Sequence, residues 1–408
     1  MKIFNRKLKI TSSALLILCM VFVMTACAEN SSQSEKSQPA EQTTVQPTTM
    51  SAEEINDRKL DEFISDMTLE EKVGQMFFVR CPDKDAVQQV SEYNIGGYIL
   101  FGRDFDGKTK DEVVDDIHSY QNEADIPLLI GVDEEGGTVV RVSSNPNLRE
   151  TPFLSPKDTY ADGGWDAVKQ DAEEKADLLL LLGINVNLAP VCDMTSDEYG
   201  FMYDRSFSSD VDMENRYVRT VVETSKSKKL GTVLKHFPGY GNNSDTHTGI
   251  AYDDRDYSEF ENTDFKPFYQ GIESGADCIL VSHNIVNCMD SEYPASLSQK
   301  VHDILRNEFK FDGVIMTDDL IMDAITDFTG DEAAAVTAAK CGNDLLCCSS
   351  VDTQYPAVLE AVQNGEIPEA QVDTSVKRIL KWKQNIGIFN IDTYHKKVRS
   401  TDSADTTE

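Results

Sequence analysis

Residues 231–247 read GTVLKHFPGYGNNSDTH. The opening GTVL is small and apolar and suits a short strand buried on both faces. From Lys235 onward the same segment packs Lys, His, a Pro-Gly turn, Asp and His into one loop. Barrel enzymes keep their chemistry in loops at the carboxyl ends of strands. A buried strand that ends in Lys235-His236 and runs on to Asp245-Thr246-His247 therefore points to that architecture. Asp245 stands two residues from His247, close enough to orient and charge an imidazole, which suggests a general acid/base.

Comparable runs recur along the chain, at 73–79, 97–101, 128–132, 184–188, 232–234, 278–281, 313–316 and 344–347. They are apolar throughout rather than alternating, as in strands covered on both sides. Between them lie helical patterns at 110–122, 165–182, 213–229, 263–274, 298–309, 331–341 and 353–364. This β/α alternation predicts a TIM-type (β/α)8 barrel in one catalytic domain, residues 55–392. A doubly wound open sheet is the alternative, but it gives no reason for polar residues after nearly every strand. Those residues are Arg80, Arg103, Asp133-Glu134-Glu135, Asp193, Lys235-His236, Ser282-His283-Asn284, Thr317-Asp318-Asp319 and Ser349. Closing the sheet would gather them at one rim as a polar pocket. Residues 375–388 read as an amphipathic closing helix ended by Gly387, and no strand-rich segment follows.

The first residues carry Lys2, Arg6, Lys7 and Lys9, then an apolar run from 14 to 24. The run is too short to span a bilayer and fits the core of a secretion signal. It ends in Met24-Thr25-Ala26-Cys27, which resembles a bacterial lipobox with Cys27 as the lipidated residue. Residues 1–27 are thus expected to be a lipoprotein signal peptide. Residues 28–54 read as a Ser/Thr/Gln/Pro tether too polar to offset chain entropy, and 393–408 as a polar tail. The formal charge is −33, and loss of the four basic leader residues takes it to −37. So acidic a surface repels nucleic acid. Nine cysteines show no zinc-ligand spacing and mostly sit in apolar runs, as buried thiols do. A Cys278–Cys288 bridge stays open for an exported protein. No Gly-rich phosphate fingerprint or ligand cluster is present, so neither a metal nor an organic cofactor is expected.

Five segments together resemble glycoside hydrolase family 3, in its NagZ-type β-N-acetylhexosaminidase branch. They are IGVDEEGGTVVR (130–141), NLAPVCD (187–193), DRSF (204–207), KHFPGYGNNSDTH (235–247) and GVIMTDDL (313–320). Asp318 is the first carboxylate after a buried strand. Side-chain alternation should aim it at the barrel axis and Asp319 elsewhere; capping a following helix is the other role open to such a residue. The resemblance implies that Asp318 is a nucleophile forming a glycosyl-enzyme intermediate. It implies that His247, oriented by Asp245, is the acid/base, where most glycosidases use a second carboxylate. It implies sugar-binding roles for Asp133, Arg141, Arg205, Lys235 and His236. From the residues alone, Arg141 could equally pair with Glu134 or Glu135. Ser282-His283 should close the pocket floor, and Gly136-Gly137 should serve a tight turn.

The chain departs from the family where Tyr240-Gly241 replaces His-Gly, Asn242-Asn243 replaces Asp-Thr, and Thr246 replaces the commoner Ser. What the resemblance implies is release of terminal N-acetylglucosamine from β-linked oligosaccharides or muropeptides. The protein would be a monomer on the outer face of a cell membrane or facing a periplasm, held by its lipid alone. β-Glucosidase or β-xylosidase activity, phosphorolysis, and non-catalytic sugar binding are the competing readings.

Overall fold

The computed structural model describes residues 50–396 except 242, 244–248, 323–324, 326–327 and 330. Cys27, Asp245, His247 and residues 397–408 of the tail therefore lie outside the described residues. Eight parallel strands form the frame: β1 (Phe77–Arg80), β2 (Gly97–Leu100), β3 (Leu129–Val132), β4 (Val186–Asn187), β5 (Gly231–Phe237), β7 (Cys278–Val281), β9 (Val314–Thr317) and β10 (Leu346–Cys348). They lie in the order β10-β1-β2-β3-β4-β5-β7-β9. A parallel bridge from Met316 to Leu345 joins the two ends, so the sheet closes into the expected barrel. Two short strands, β6 (Tyr252–Asp253) and β8 (Ile285–Val286), pair with each other outside it.

Alternation along these strands divides two kinds of core. Phe78, Ile99, Leu129, Val186, Leu188, Val233, Leu280, Val314 and Met316 fill the barrel, where Ile379, Trp382 and Ile386 join them. Phe77, Val79, Tyr98, Leu100, Ile130 and Val132 face outward under the helices. Gly131 supplies the space that Phe78 occupies: a Cβ there would lie 2.6 Å from the Phe78 ring. Burial on both sides is why the runs are apolar throughout.

The boundaries differ in instructive places. The first run, 73–79, is half helix. Leu69–Gln75 is helical, started by a capping box between Thr68 and Glu71, and β1 begins only at Phe77. Thr68-Leu-Glu-Glu71 marks a helix start, but the apolar residues after it have the composition of a strand. A second capping box, Ser51 with Glu54, starts the helix Ala52–Ser65 just inside the segment assigned to the tether. Helices Ala86–Tyr93 and Tyr257–Asn262 were not anticipated. Residues 298–309 form an α-helix, Gln299–Asp303, that continues as a π-helical turn, Ile304–Glu308. The closing helix runs Glu369–Asn385, and Gly387 at φ 82 ends it as expected. Cys278 and Cys288 are both free thiols, so the bridge left open does not form.

Lys383 in the closing helix is fully buried and donates to Gln75 Oε1 at 2.7 Å. Burial lowers its pKa from 10.5 to about 7. The folded state disfavours the proton, so the stability cost is complete below about pH 7 and fades as pH rises towards 10.5. Lys383→Met should therefore gain on the wild type as pH falls from 10 to about 7, by up to about 1.4 kcal/mol per pH unit, and hold that gain below. Denaturant midpoints of both proteins at several pH values check this, and a pH-independent difference would refute it.

Candidate active site

The strand ends converge on one cavity of about 580 Å³ that borders Asp133, Glu135, Arg141, Arg205, Lys235, His236 and Asp318. Every described residue expected to bind the sugar or attack it is therefore brought together. The construction begins after β3. Glu134 is fully buried and holds the following loop. Its carboxylate accepts from the backbone of Arg141 at 2.9 Å, Val142 at 2.7 Å and Ser143 at 3.3 Å, and from the Ser143 hydroxyl. Gly136 and Gly137, at φ 104 and 65, make the turn, and a Cβ on Gly136 would lie 2.2 Å from Leu154 O. That turn returns Glu135 to the cavity.

Glu135 is a site residue that its sequence position does not distinguish from Glu134. It takes Lys235 Nζ at 2.6 Å and both Arg205 Nη2 at 2.8 Å and Nε at 2.9 Å. Lys235 Nζ also reaches Asp133 Oδ1 at 2.6 Å. Among the described residues, Asp133 Oδ2 is left without a hydrogen bond, an acceptor open to a ligand hydroxyl. The result is a buried charge chain, Asp133–Lys235–Glu135–Arg205. Burial alone would raise the pKa of Glu135, but Lys235 and then Arg205 hold it well below the usual carboxylate range. Burial would lower Lys235, but Asp133 and Glu135 outweigh it and raise that amine. Glu135 and Lys235 thus keep their charges across the neutral range, which suits fixed donors and acceptors for hydroxyl groups better than proton transfer.

Consecutive residues on a regular strand point to opposite faces, yet Lys235 and His236 both border the cavity. The reason is an irregularity in β5: Leu234 pairs with Ile279, but Phe237 pairs with Val281, so one extra residue is accommodated. Phe237 then returns to the outer core. His236 Nδ1 lies 2.6 Å from Asp193 Oδ2, and its Nε2 lies 3.2 Å from Arg205 Nη2. Arginine can only donate, so Nε2 accepts and Nδ1 donates to Asp193. Asp193 also takes the backbone of His236 at 3.0 Å and Tyr240 at 2.7 Å. It was legible as a strand-end acid but not as the partner of a histidine 43 positions away. Tyr240, at the position where the family has His, stands edge-on to the His236 ring at 5.3 Å.

Asp318 follows β9 and accepts from the Asp319 backbone at 2.9 Å through Oδ1. Asp319 also borders the cavity, contrary to the expectation that it points elsewhere. Its carboxylate is held by the Ser349 hydroxyl and by the backbone of Ile321 at 3.2 Å, and burial raises its pKa. Held in this way, it supports the rim. His283 does not form the floor. It is fully buried, between Ser296 Oγ at 2.7 Å and Asp319 O at 3.0 Å, and ties β7 to the turn after β9. Arg141 makes no ion pair with Glu134 or Glu135; it binds Glu134 through its backbone and keeps its guanidinium at the cavity. Arg80 was noted only as a strand end. It lies at 4.4 Å over the Phe101 ring, which also borders the cavity.

Comparison with known proteins bears on this arrangement. The model of the glycosyl hydrolase family 3 N terminal domain matches residues 68–382. A β-hexosaminidase from Nitrosomonas eutropha is 32% identical over 273 residues, 65% of this chain and 77% of that one. The β-hexosaminidase LpqI of Mycobacterium tuberculosis is 31% identical over 331 residues, 77% of this chain and 82% of that one. Among solved structures, a family 3 β-N-acetylglucosaminidase from Paenibacillus superposes with a TM-score of 0.74 at 29% identity, covering 84% of this chain and 66% of that one. A family model over most of the barrel, together with relatives matched over most of their own length, settles the assignment: the chain belongs to glycosyl hydrolase family 3 and is a glycosidase.

Proposed function

We propose that this enzyme is a retaining exo-β-N-acetylglucosaminidase acting on peptidoglycan fragments or chitin-like oligosaccharides. The observation that carries the reading is the shared cavity: Asp318 borders the same space as the Asp133–Lys235–Glu135–Arg205 chain. The chain supplies fixed polar groups for one sugar ring, and Asp318 supplies a carboxylate for its anomeric carbon. The names of the relatives, β-hexosaminidase and β-N-acetylglucosaminidase, support the choice of sugar.

In the proposed reaction Asp318 attacks the anomeric carbon as the glycosidic bond breaks, and His247 gives its proton to the leaving oxygen. A glycosyl ester of Asp318 remains. His247 then takes a proton from water as that water attacks the same carbon, freeing Asp318 and restoring the β configuration. Asp245 is assigned to orient His247.

The test is turnover of aryl N-acetyl-β-glucosaminide against aryl β-glucoside, with and without phosphate. The amino sugar should be favoured by about 10²-fold or more in kcat/KM, and the product should be the free sugar. Preference for the glucoside would refute the substrate assignment. A phosphate-dependent rate yielding a sugar 1-phosphate would make the enzyme a phosphorylase.

The leader adds an expected location. Cys27 should carry a lipid, so the protein should enter the detergent phase on Triton X-114 partition and Cys27→Ala should stay in the aqueous phase. Equal partition of the two would rule out the anchor.

A further inference from the structure

The segment that carries Asp245 and His247 leaves the described chain after Asn243 and rejoins it at Gly249. Both of its stems are tied to one ion cluster beside the barrel. On the outgoing side, Arg255 Nη2 donates to Gly239 O at 3.1 Å, and Asn243 Nδ2 donates to Asp253 Oδ2 at 2.9 Å. On the returning side, Asp253 lies in β6, which is held by its pairing with β8. Asp253 receives the Arg255 backbone at 3.0 Å and Arg255 Nη2 at 2.7 Å. The other face of the guanidinium pairs with Asp264, Nη1 lying 3.0 Å from each carboxylate oxygen. Asp253 and Asp264 are 2% and 3% exposed.

The outgoing backbone rests directly on this cluster. A Cβ on Gly239 would lie 2.4 Å from Asp264 Oδ1, and one on Gly241 would lie 2.7 Å from Arg255 Cζ. Both glycines have positive φ, 122 and 54. A partly buried arginine between two buried carboxylates has a desolvation cost that its ion pairs roughly offset, so its stronger effect is to fix geometry rather than to add stability. Here the geometry it fixes is the relative position of the two stems.

We infer that Arg255 is a positioning residue for proton transfer: with Asp253 and Asp264 it sets the two anchor points of the loop that presents His247. This rests on the assignment of His247 as the acid/base. Its consequence depends on the leaving group. A misplaced acid slows departure of a leaving group that needs a proton and hardly affects one that does not.

The experiment compares kcat/KM for methyl and 2,4-dinitrophenyl N-acetyl-β-glucosaminides in Arg255→Ala, Arg255→Lys and Gly241→Ala, with His247→Ala as reference. Arg255→Ala and Gly241→Ala should lose about 10²-fold on the methyl glycoside and less than about 3-fold on the dinitrophenyl one, with Arg255→Lys between them and the wild type. Equal losses on both substrates, or no loss, would overturn the inference. If Arg255→Ala does not fold, Arg255→Lys and Gly241→Ala carry the same comparison. A leaving-group dependence in His247→Ala that is missing from the Arg255 and Gly241 variants would sink the positioning role alone. Its absence from His247→Ala would sink the acid/base assignment and the positioning role with it.

Discussion

Asp318→Asn should lower kcat/KM on aryl N-acetyl-β-glucosaminide by at least about 10³-fold, because the covalent route needs an anionic oxygen at the anomeric carbon. The fold should survive. The carboxylate oxygen that accepts the Asp319 backbone has an amide counterpart in Asn, so the local turn keeps its hydrogen bond. An unchanged denaturation midpoint with a lost rate is therefore the expected pair of results. Asp319→Asn is the informative control. Asp319 is anchored by Ser349 and Ile321 and sits one residue away, so it shares the electrostatic surroundings while its own carboxylate is committed to the rim. It should lose less than Asp318→Asn by an order of magnitude or more. Near wild-type turnover in Asp318→Asn, or a larger loss in Asp319→Asn, would move the nucleophile to another residue.

Glu135→Gln should have the second largest effect, and on stability as well as rate. The glutamate is buried between Lys235 and Arg205, with side chains 2% and 12% exposed. Removing its charge leaves two largely buried cations with Asp133 and Asp193 as the remaining carboxylates near them, a change of the kind that costs about 3–5 kcal/mol. Asp133 and Lys235 would also shift, so KM should rise together with the fall in kcat. The pH dependence has a definite sign. The folded pKa of Glu135 is depressed, first against burial and then by Lys235 and Arg205. Its stabilisation is complete above the ordinary glutamate range, near about 4.3, and is lost as pH falls below that. Wild type should therefore lose stability in acid more steeply than Glu135→Gln. Chemical denaturation at pH 7 and pH 4 measures both, and parallel acid profiles would show that Glu135 does not carry this charge coupling.

Much of the barrel was legible because its strands are buried on both faces. Such strands leave apolar runs such as 278–281, and the observed Cys278–Val281 matches that run residue for residue. The run at 73–79 reads as one strand but is half helix, because a buried helix end and a buried strand have the same local composition and only the capping box before them differs. The helix Ala86–Tyr93 gave little signal: Asp85 caps it without a side-chain hydrogen bond, and only Val90 in it is buried.

The site divides along the same line. Of the six residues that the structure brings to one cavity, the sequence marked Asp133, Lys235, His236 and Asp318 by their place after strands, and its resemblance to the family added Arg141 and Arg205. It could not identify Glu135. Glu134 and Glu135 are the same residue in succession, and one holds a loop while the other joins the charge chain. Their separation depends on the turn at Gly136-Gly137 and on partners 70 and 100 positions away. By itself the sequence determined the barrel and the inventory of its rim, because burial and strand-end polarity are local properties. Tertiary structure alone decided which rim residues face one another, because an irregularity in β5 turns Lys235 and His236 to the same side and charge pairing forms only once the barrel closes. The loop that opens with KHFPGYG is the clearest instance: its composition announced an active site, but Asp193, Glu135 and Arg255, all outside that stretch, hold His236, Lys235 and Gly239 in place.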